Sequence, residues 1–274
     1  MARSVDDYLR QQFMPHIWCP GCGHGIILNA LLRSIAKLDM DKDNICVVSG
    51  IGCASRAPGY LDFYTVHTTH GRALPFATGI KLARPDLHVI VLTGDGDGAA
   101  IGGNHLIHAA RRNIGLTTIM FNNSIYGMTS GQYSPLTPSG RLATTAPYGN
   151  VERNFDMCKL VDAAGANYVA RATVAQPRQL STYIERAITT SGFAFVEAVG
   201  NCPTYFGRRN KMGGPVEMVE NLKKAGVTLQ AAAKMSPQEL AGKIVTGEFH
   251  KGEDPEYCAE YDRLIERAKE VAGK

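Results

Sequence analysis

The stretch that decides the fold runs from His88 to Gly98, HVIVLTGDGDG. Its first part is a nearly continuous apolar and β-branched run, the pattern of a strand buried on both faces. The GDGDG that closes it allows tight turning and close backbone approach, and places two carboxylates in a loop that opens toward a helix. Working outward, similar runs recur as ICVVS (Ile45 to Ser49), FYTVH (Phe63 to His67), LTTIMFN (Leu116 to Asn122), YVARATV (Tyr168 to Val174) and FAFVEAV (Phe193 to Val199). Helical spacing separates them, over His24 to Leu38, Arg72 to Ala83, Gly103 to Arg112, Asp156 to Ala164 and Pro177 to Thr190. This alternation predicts an α/β fold, a mostly parallel sheet with helices on both faces. In such sheets ligands gather outside the carboxyl ends of the strands. The loops at those ends are GIGC, HTTHGR, GDGDG, NNSIYGMTSGQ and NCPTYFGRR. Residues Ser130 to Asn150, rich in Pro, Thr, Gly and Ser, read as an ordered crossing loop or lid. After Pro215 charges crowd in and strand signals cease, so the expected organisation is one α/β domain over residues 1–215 and a helical tail over 216–274.

A chain of 274 residues can bury a substantial core, and 45% hydrophobic with 20% charged residues suits a globular protein. The net charge of +4 is far from a nucleic-acid footprint, and none is expected. No apolar run is long enough for a bilayer, and MARSVDDYLRQQF lacks the apolar centre of a secretory signal, so the expected location is the cytoplasm, away from membrane. Seven cysteines, an odd number scattered through a mid-sized chain, point to metal or redox chemistry rather than a disulfide framework.

Asp95 in the GDGDG loop is a carboxylate suited to a hard divalent cation, and Asn122-Asn123 ends the next strand. A parallel neighbour brings both loop ends to one rim, where an octahedral Mg²⁺ can bridge diphosphate oxygens. The plain alternative is a polar turn and a strand-ending loop. The pairing resembles the thiamine diphosphate signature. Carried over, that resemblance makes Asp95, the Asn123 side chain and the Ile125 carbonyl the metal ligands, with Gly94, Gly96, Asp97, Gly127 and Met128 along the diphosphate and thiazolium.

Trp18-Cys19-Pro20-Gly21-Cys22 admits three readings. A thioredoxin-like dithiol needs a central strand before it, and MPHIW is too broken for one. A zinc site on Cys19, Cys22 and His24 needs further ligands. Cys53 in GIGC and Cys202 in GNCP follow strands, on the rim already marked, and four thiolates are what a [4Fe-4S] cluster requires. Cys46 falls in a strand, Cys158 in a helix and Cys258 in the tail, as buried or incidental thiols.

Read in order, WCPGCGHG, GIGC, HTTHGRALPFATGIKLA, GDGDG, FNNSIYGMTSGQ and NCPTYFGRRN resemble β subunits of 2-oxoacid:ferredoxin oxidoreductases, over about residues 15 to 215. CPTYFGRRNK is most similar to the 2-oxoglutarate branch, with pyruvate and 2-oxoisovalerate as alternative substrates. The resemblance implies a diphosphate-type thiamine domain with Mg²⁺, and Cys19, Cys22, Cys53 and Cys202 as cluster ligands. It implies CoA-dependent oxidative decarboxylation of 2-oxoglutarate to succinyl-CoA and CO₂, or the reverse, with electrons passing through the cluster to ferredoxin. Ile51, Gly52, Cys53, Ala54 and His70 would contact thiamine, and Arg56 and Met128 the reacting substrate. The chain shows no candidate for the glutamate that activates thiamine, so an α subunit is expected to supply it, in an αβ heterodimer or a dimer of heterodimers. Ser130 stands where some members carry Lys, which removes a basic substrate contact there; Arg208, Arg209 and Lys211 could meet an acidic ferredoxin or form a solvated face. Two rival functions remain: a thiamine decarboxylase without redox chemistry, and a cluster-bearing electron-transfer protein without thiamine catalysis.

Overall fold

The computed structural model describes residues 4–273. Eight strands form one sheet: β1 (Ile45–Ser49), β2 (Tyr64–His67), β3 (His88–Gly94), β4 (Leu116–Asn122), β5 (Tyr168–Thr173), β6 (Ala194–Val199), β7 (Gly226–Thr228) and β8 (Ile244–Lys251). Their spatial order is β2-β1-β3-β4-β6-β5-β8-β7. The first six pair in parallel, as the continuous apolar runs predict, and β1, β4, β5 and β6 are buried along their whole length.

The helices are α1 (His24–Lys37), α2 (Ala73–Ala83), α3 (Gly103–Arg111), α4 (Met157–Ala163), α5 (Pro177–Thr189), α6 (Pro215–Ala225), α7 (Leu229–Ala232), α8 (Pro237–Leu240) and α9 (Tyr257–Ala272). Local chemistry sets several ends. Pro177 opens α5, where its missing N–H costs nothing, and the Asp156 carboxylate caps α4 by accepting from the Lys159 N–H. Arg84, held away from helical geometry by Pro85, ends α2. On one face of the sheet α1 and α5 bury Ile27, Leu31, Leu180 and Ile184; on the other, Leu74, Leu106 and Val161 come from α2, α3 and α4. Each such side chain contributes about 1.5–3 kcal/mol of hydrophobic stabilisation. No helix among the described residues is long and apolar enough to cross a membrane.

The tail carries the expected helices, and also two strands that the sequence reading does not contain. β8 runs antiparallel to β5, so residues 244–251 belong to the same sheet as the first six strands. Its sequence, IVTGEFHK, is half-buried and interrupted by Gly247, so no apolar run announces it. Distant contacts specify it instead: the Arg171 guanidinium donates to the Val245 carbonyl and lies over the Phe249 ring.

The register decides where the loops emerge. Ser49 pairs with Leu92, Leu92 with Ile119 and Asn122 with Val199, so four strands end along one edge. β2 lies on one side of β1 and β3 on the other, so the chain reverses direction between β1 and β3. Such a switch opens a crevice at the carboxyl edge.

Candidate active site

Asp95 and Asn123 face each other across this crevice. Asp95 is buried, and accepts from the Ser134 hydroxyl at 2.5 Å. Burial raises its pKa to about 7, against the lowering effect of Ser134 and of the backbone N–H groups of Asp95, Gly96 and Ile125. One end of the Asn123 amide lies 2.8 Å from the Ile125 carbonyl and 3.2 Å from Asp95 Oδ1. With nitrogen at that end, Asn123 donates to both. With oxygen there, three oxygens converge at separations close to the edge of an octahedron whose metal–oxygen bonds are about 2.0–2.1 Å. The donor set thus fits Mg²⁺.

Asp97, expected along the diphosphate, borders the cavity and also binds protein donors. Its Oδ1 accepts from the N–H of Ile51 at 3.2 Å, the N–H of Gly71 at 2.7 Å and His70 Nδ1 at 2.6 Å, while Oδ2 accepts from the Thr93 hydroxyl at 2.7 Å. The carboxylate is spent on protein donors, and ties together the loops after β1, β2 and β3. Gly96 is required here for space, because a Cβ would overlap the Tyr126 ring, whose hydroxyl donates to the Gly96 carbonyl at 3.1 Å.

These groups line one cavity. Ile51, Gly52, Cys53, Ala54, His70, Gly94, Asp95, Gly96, Asp97, Asn123, Ile125, Gly127 and Met128 all border it. Arg56 does not: it is exposed on the helical turn after Cys53, outside the lining. Ser130 lies one residue beyond the lining. The structure adds His24, Phe121, Tyr126 and Thr129. His24 was weighed only as a zinc ligand. It is 1% exposed, with Nδ1 buried and unpartnered, and burial lowers its pKa to about 4, so it presents a neutral imidazole.

Four thiols gather beside the cavity. Burial raises Cys22 to about 12, with further increments from Cys202, Cys53 and Cys19, and raises Cys53 to about 11, with increments from Cys202 and Cys19. Such mutual effects place Cys19, Cys22, Cys53 and Cys202 within electrostatic reach of one another. Backbone N–H groups of Phe206 and Tyr205 point at the Cys202 sulfur and that of His24 at Cys22, donors of the kind that tune iron–sulfur centres. The loops are interlocked: Trp18 Nε1 donates to the Cys53 carbonyl at 2.7 Å, and the Gly23 N–H to the Asn201 carbonyl at 3.2 Å. Before Cys19 lie two short 3₁₀ turns, Val5–Tyr8 and Gln11–Phe13, rather than the strand a thioredoxin-like dithiol needs. Among the described residues, no group of three or more His, Cys, Asp or Glu closes around a point as a single ion demands. A polynuclear centre has no such demand, since each thiolate takes its own iron.

Gly127 joins the two halves. A methyl carbon there would sit 3.1 Å from Cys53 Sγ, 4.0 Å from Cys202 Sγ and 3.9 Å from the Asn123 amide.

Residues 50–198 match the thiamine pyrophosphate enzyme, C-terminal TPP binding domain. The chain is 54% identical over 267 residues to 2-oxoglutarate synthase subunit KorB of Methanothermobacter marburgensis, covering 97% of this chain and 93% of that protein. It is 56% identical over 262 residues to the KorB subunit of Methanocaldococcus jannaschii, covering 96% and 97%. The chain belongs to the KorB family of 2-oxoglutarate synthase subunits. Among solved structures, the 2-oxoglutarate:ferredoxin oxidoreductase of Magnetococcus marinus, with 2-oxoglutarate, coenzyme A and succinyl-CoA bound, superposes with a TM-score of 0.87 at 36% identity, over 97% of this chain and 91% of that one.

Most of the cavity lining carries a motif in the sequence, whereas Tyr126, and His24 as part of this cavity, do not. The found residues sit in short loop motifs. His24 opens a helix whose apolar face hides it, and Tyr126 reads as an ordinary aromatic until Gly96 is seen against its ring.

Proposed function

We propose that this KorB-family chain holds the diphosphate end of thiamine diphosphate, an Mg²⁺ ion and a [4Fe-4S] cluster, and that with an α subunit it interconverts 2-oxoglutarate and CoA with succinyl-CoA and CO₂. The observation that carries this reading is the adjacency at Gly127, where the metal loop and two cluster thiols come within 4.0 Å of one position. When bound, thiamine diphosphate supplies the nucleophilic carbon and electron sink, and the cluster accepts electrons singly.

The chain's own residues have distinct tasks. Asp95, Asn123 and the Ile125 carbonyl hold Mg²⁺; Gly96 and Gly127 let the cofactor approach the backbone. Asp97 fixes the crevice and holds His70 against the cavity. Met128, exposed at the rim, is suited to touch substrate. Cys19 is the exposed thiol of the four, so a cluster held there would lie nearest the surface at Cys19, on the side a ferredoxin could reach. Among the described residues the acids lining the cavity are Asp95 and Asp97, both already engaged, which supports an α subunit as the source of the activating glutamate. An αβ heterodimer, or a dimer of two, is the expected assembly, in the cytoplasm.

The test is co-expression with the partner chain and an assay of CoA-dependent viologen reduction. The rate with 2-oxoglutarate is expected to exceed those with pyruvate and 2-oxoisovalerate clearly. Equal rates would overturn the substrate, and no 2-oxoacid-dependent reduction would overturn the function.

A further inference from the structure

Behind the metal loop, on the face covered by α4, lies a buried ion pair that the chemistry above does not use. Glu197 in β6 is 2% exposed and Arg171 in β5 is 8% exposed. Arg171 Nε donates to Glu197 Oε2 at 2.7 Å, and its Nη2 to Asp156 Oδ1 at 2.5 Å. A buried pair of this kind is at best weak evidence for stability, because apolar side chains of similar volume often do as well. The remaining oxygen of Glu197 shows another use. Oε1 accepts from Asn122 Nδ2 at 2.7 Å, and Asn122 Oδ1 accepts from the Ser124 N–H at 3.0 Å.

The logic of donors and acceptors makes this connection directional. An ionised carboxylate only accepts and a backbone N–H only donates, so Asn122 has a single amide orientation. Its neighbour Asn123 has two, separated only by what fills the crevice. The Asn122 amide closes a turn in which Ser124 takes φ 61°, a conformation serine seldom adopts. Thr137 Oγ1 clamps the other side by donating to the Ser124 carbonyl at 2.6 Å. That turn brings the Ile125 carbonyl within 2.8 Å of the Asn123 amide.

We propose that Glu197, held by Arg171, is a positioning residue for the metal loop: it fixes the Asn122 amide, which fixes the Ser124 turn, which presents Asn123 and the Ile125 carbonyl to the divalent cation. The inference rests on the Mg²⁺ and thiamine diphosphate reading above.

Two double variants of the assembled complex separate positioning from simple stability. Glu197→Leu with Arg171→Met removes the ion pair and the acceptor for Asn122. Glu197→Gln with Arg171→Met also removes the ion pair, but leaves a side-chain oxygen for Asn122. Each complex is stripped with chelator and titrated calorimetrically with Mg²⁺ at saturating thiamine diphosphate, and its melting midpoint is recorded. The Leu variant is expected to bind Mg²⁺ about tenfold more weakly than wild type and the Gln variant within about threefold, whatever the order of their midpoints. Asn122→Ala, which cuts the same connection and leaves the ion pair whole, is expected to match the Leu variant. Should a double variant fail to assemble, that single variant decides. Equal Mg²⁺ affinity in all, or affinity that merely follows the midpoints, overturns the inference alone. Failure of the wild-type complex to take up Mg²⁺ and thiamine diphosphate overturns the cofactor reading, and this inference with it.

Discussion

Ser134 donates its hydroxyl to Asp95 Oδ2 at 2.5 Å, although 39 positions separate them in the chain. The lid loop is thereby fastened to the metal loop by a buried hydrogen bond to an ionisable group. Ser134→Ala removes this donor from a buried carboxyl group, at a cost of about 1–3 kcal/mol. Differential scanning calorimetry is expected to show a lower melting midpoint. An unchanged midpoint would mean that the bond does not hold the lid.

Asp95 also makes the metal-free protein sensitive to pH. Burial lifts its pKa from 3.8 to about 7, so the folded chain keeps a proton that the unfolded chain releases. Stability therefore falls as pH rises from about 4 to about 7 and levels off above, a total on the order of 4 kcal/mol. Chelator-treated wild type compared with Asp95→Asn should show this slope in wild type alone. Parallel pH profiles for the two proteins would refute it.

Space, rather than charge, governs Gly96. Gly96→Ala drives a methyl into the Tyr126 ring, and overpacking of this sort costs about 1–3 kcal/mol. Adding Tyr126→Leu opens the room again. A double-mutant cycle on thermal stability is expected to show the alanine costing much less once Tyr126→Leu is present; strict additivity would place the strain elsewhere.

The cysteines divide four against three. Serine at Cys19, Cys22, Cys53 or Cys202 should abolish or sharply reduce bound iron and the absorbance near roughly 400 nm, whereas serine at Cys46, Cys158 or Cys258 should leave both intact. Iron quantification on anaerobically purified complex checks this. Full iron content in a Cys202→Ser complex would remove Cys202 from the ligand set.

How far the sequence foretells all this depends on the kind of interaction. β3 and β4 are legible to the residue because central strands covered on both faces are dominated by apolar and β-branched residues. β8 is not, because an interrupted, half-buried strand takes its place from Arg171 and β5 rather than from its own composition. The site divides the same way. Asp95, Asn123 and the four cysteines announce themselves as residue types in loops. Asp97 announces only a carboxylate, and whether it meets a phosphate or four protein donors depends on where the loops after β1 and β2 turn. Arg56 follows Cys53 closely in sequence, yet on the helical turn of Ala54–Tyr60 it is exposed and outside the cavity lining.

The pairing of β8 with β5 has a consequence for biosynthesis. The β5 edge has unpaired amides and carbonyls from the time its own residues are made until residue 251 has cleared the ribosome. Until β8 arrives, that edge is an open strand to which another extended segment can pair. The sheet is therefore complete only when residues 244–251 have been made, although six of its strands precede residue 200.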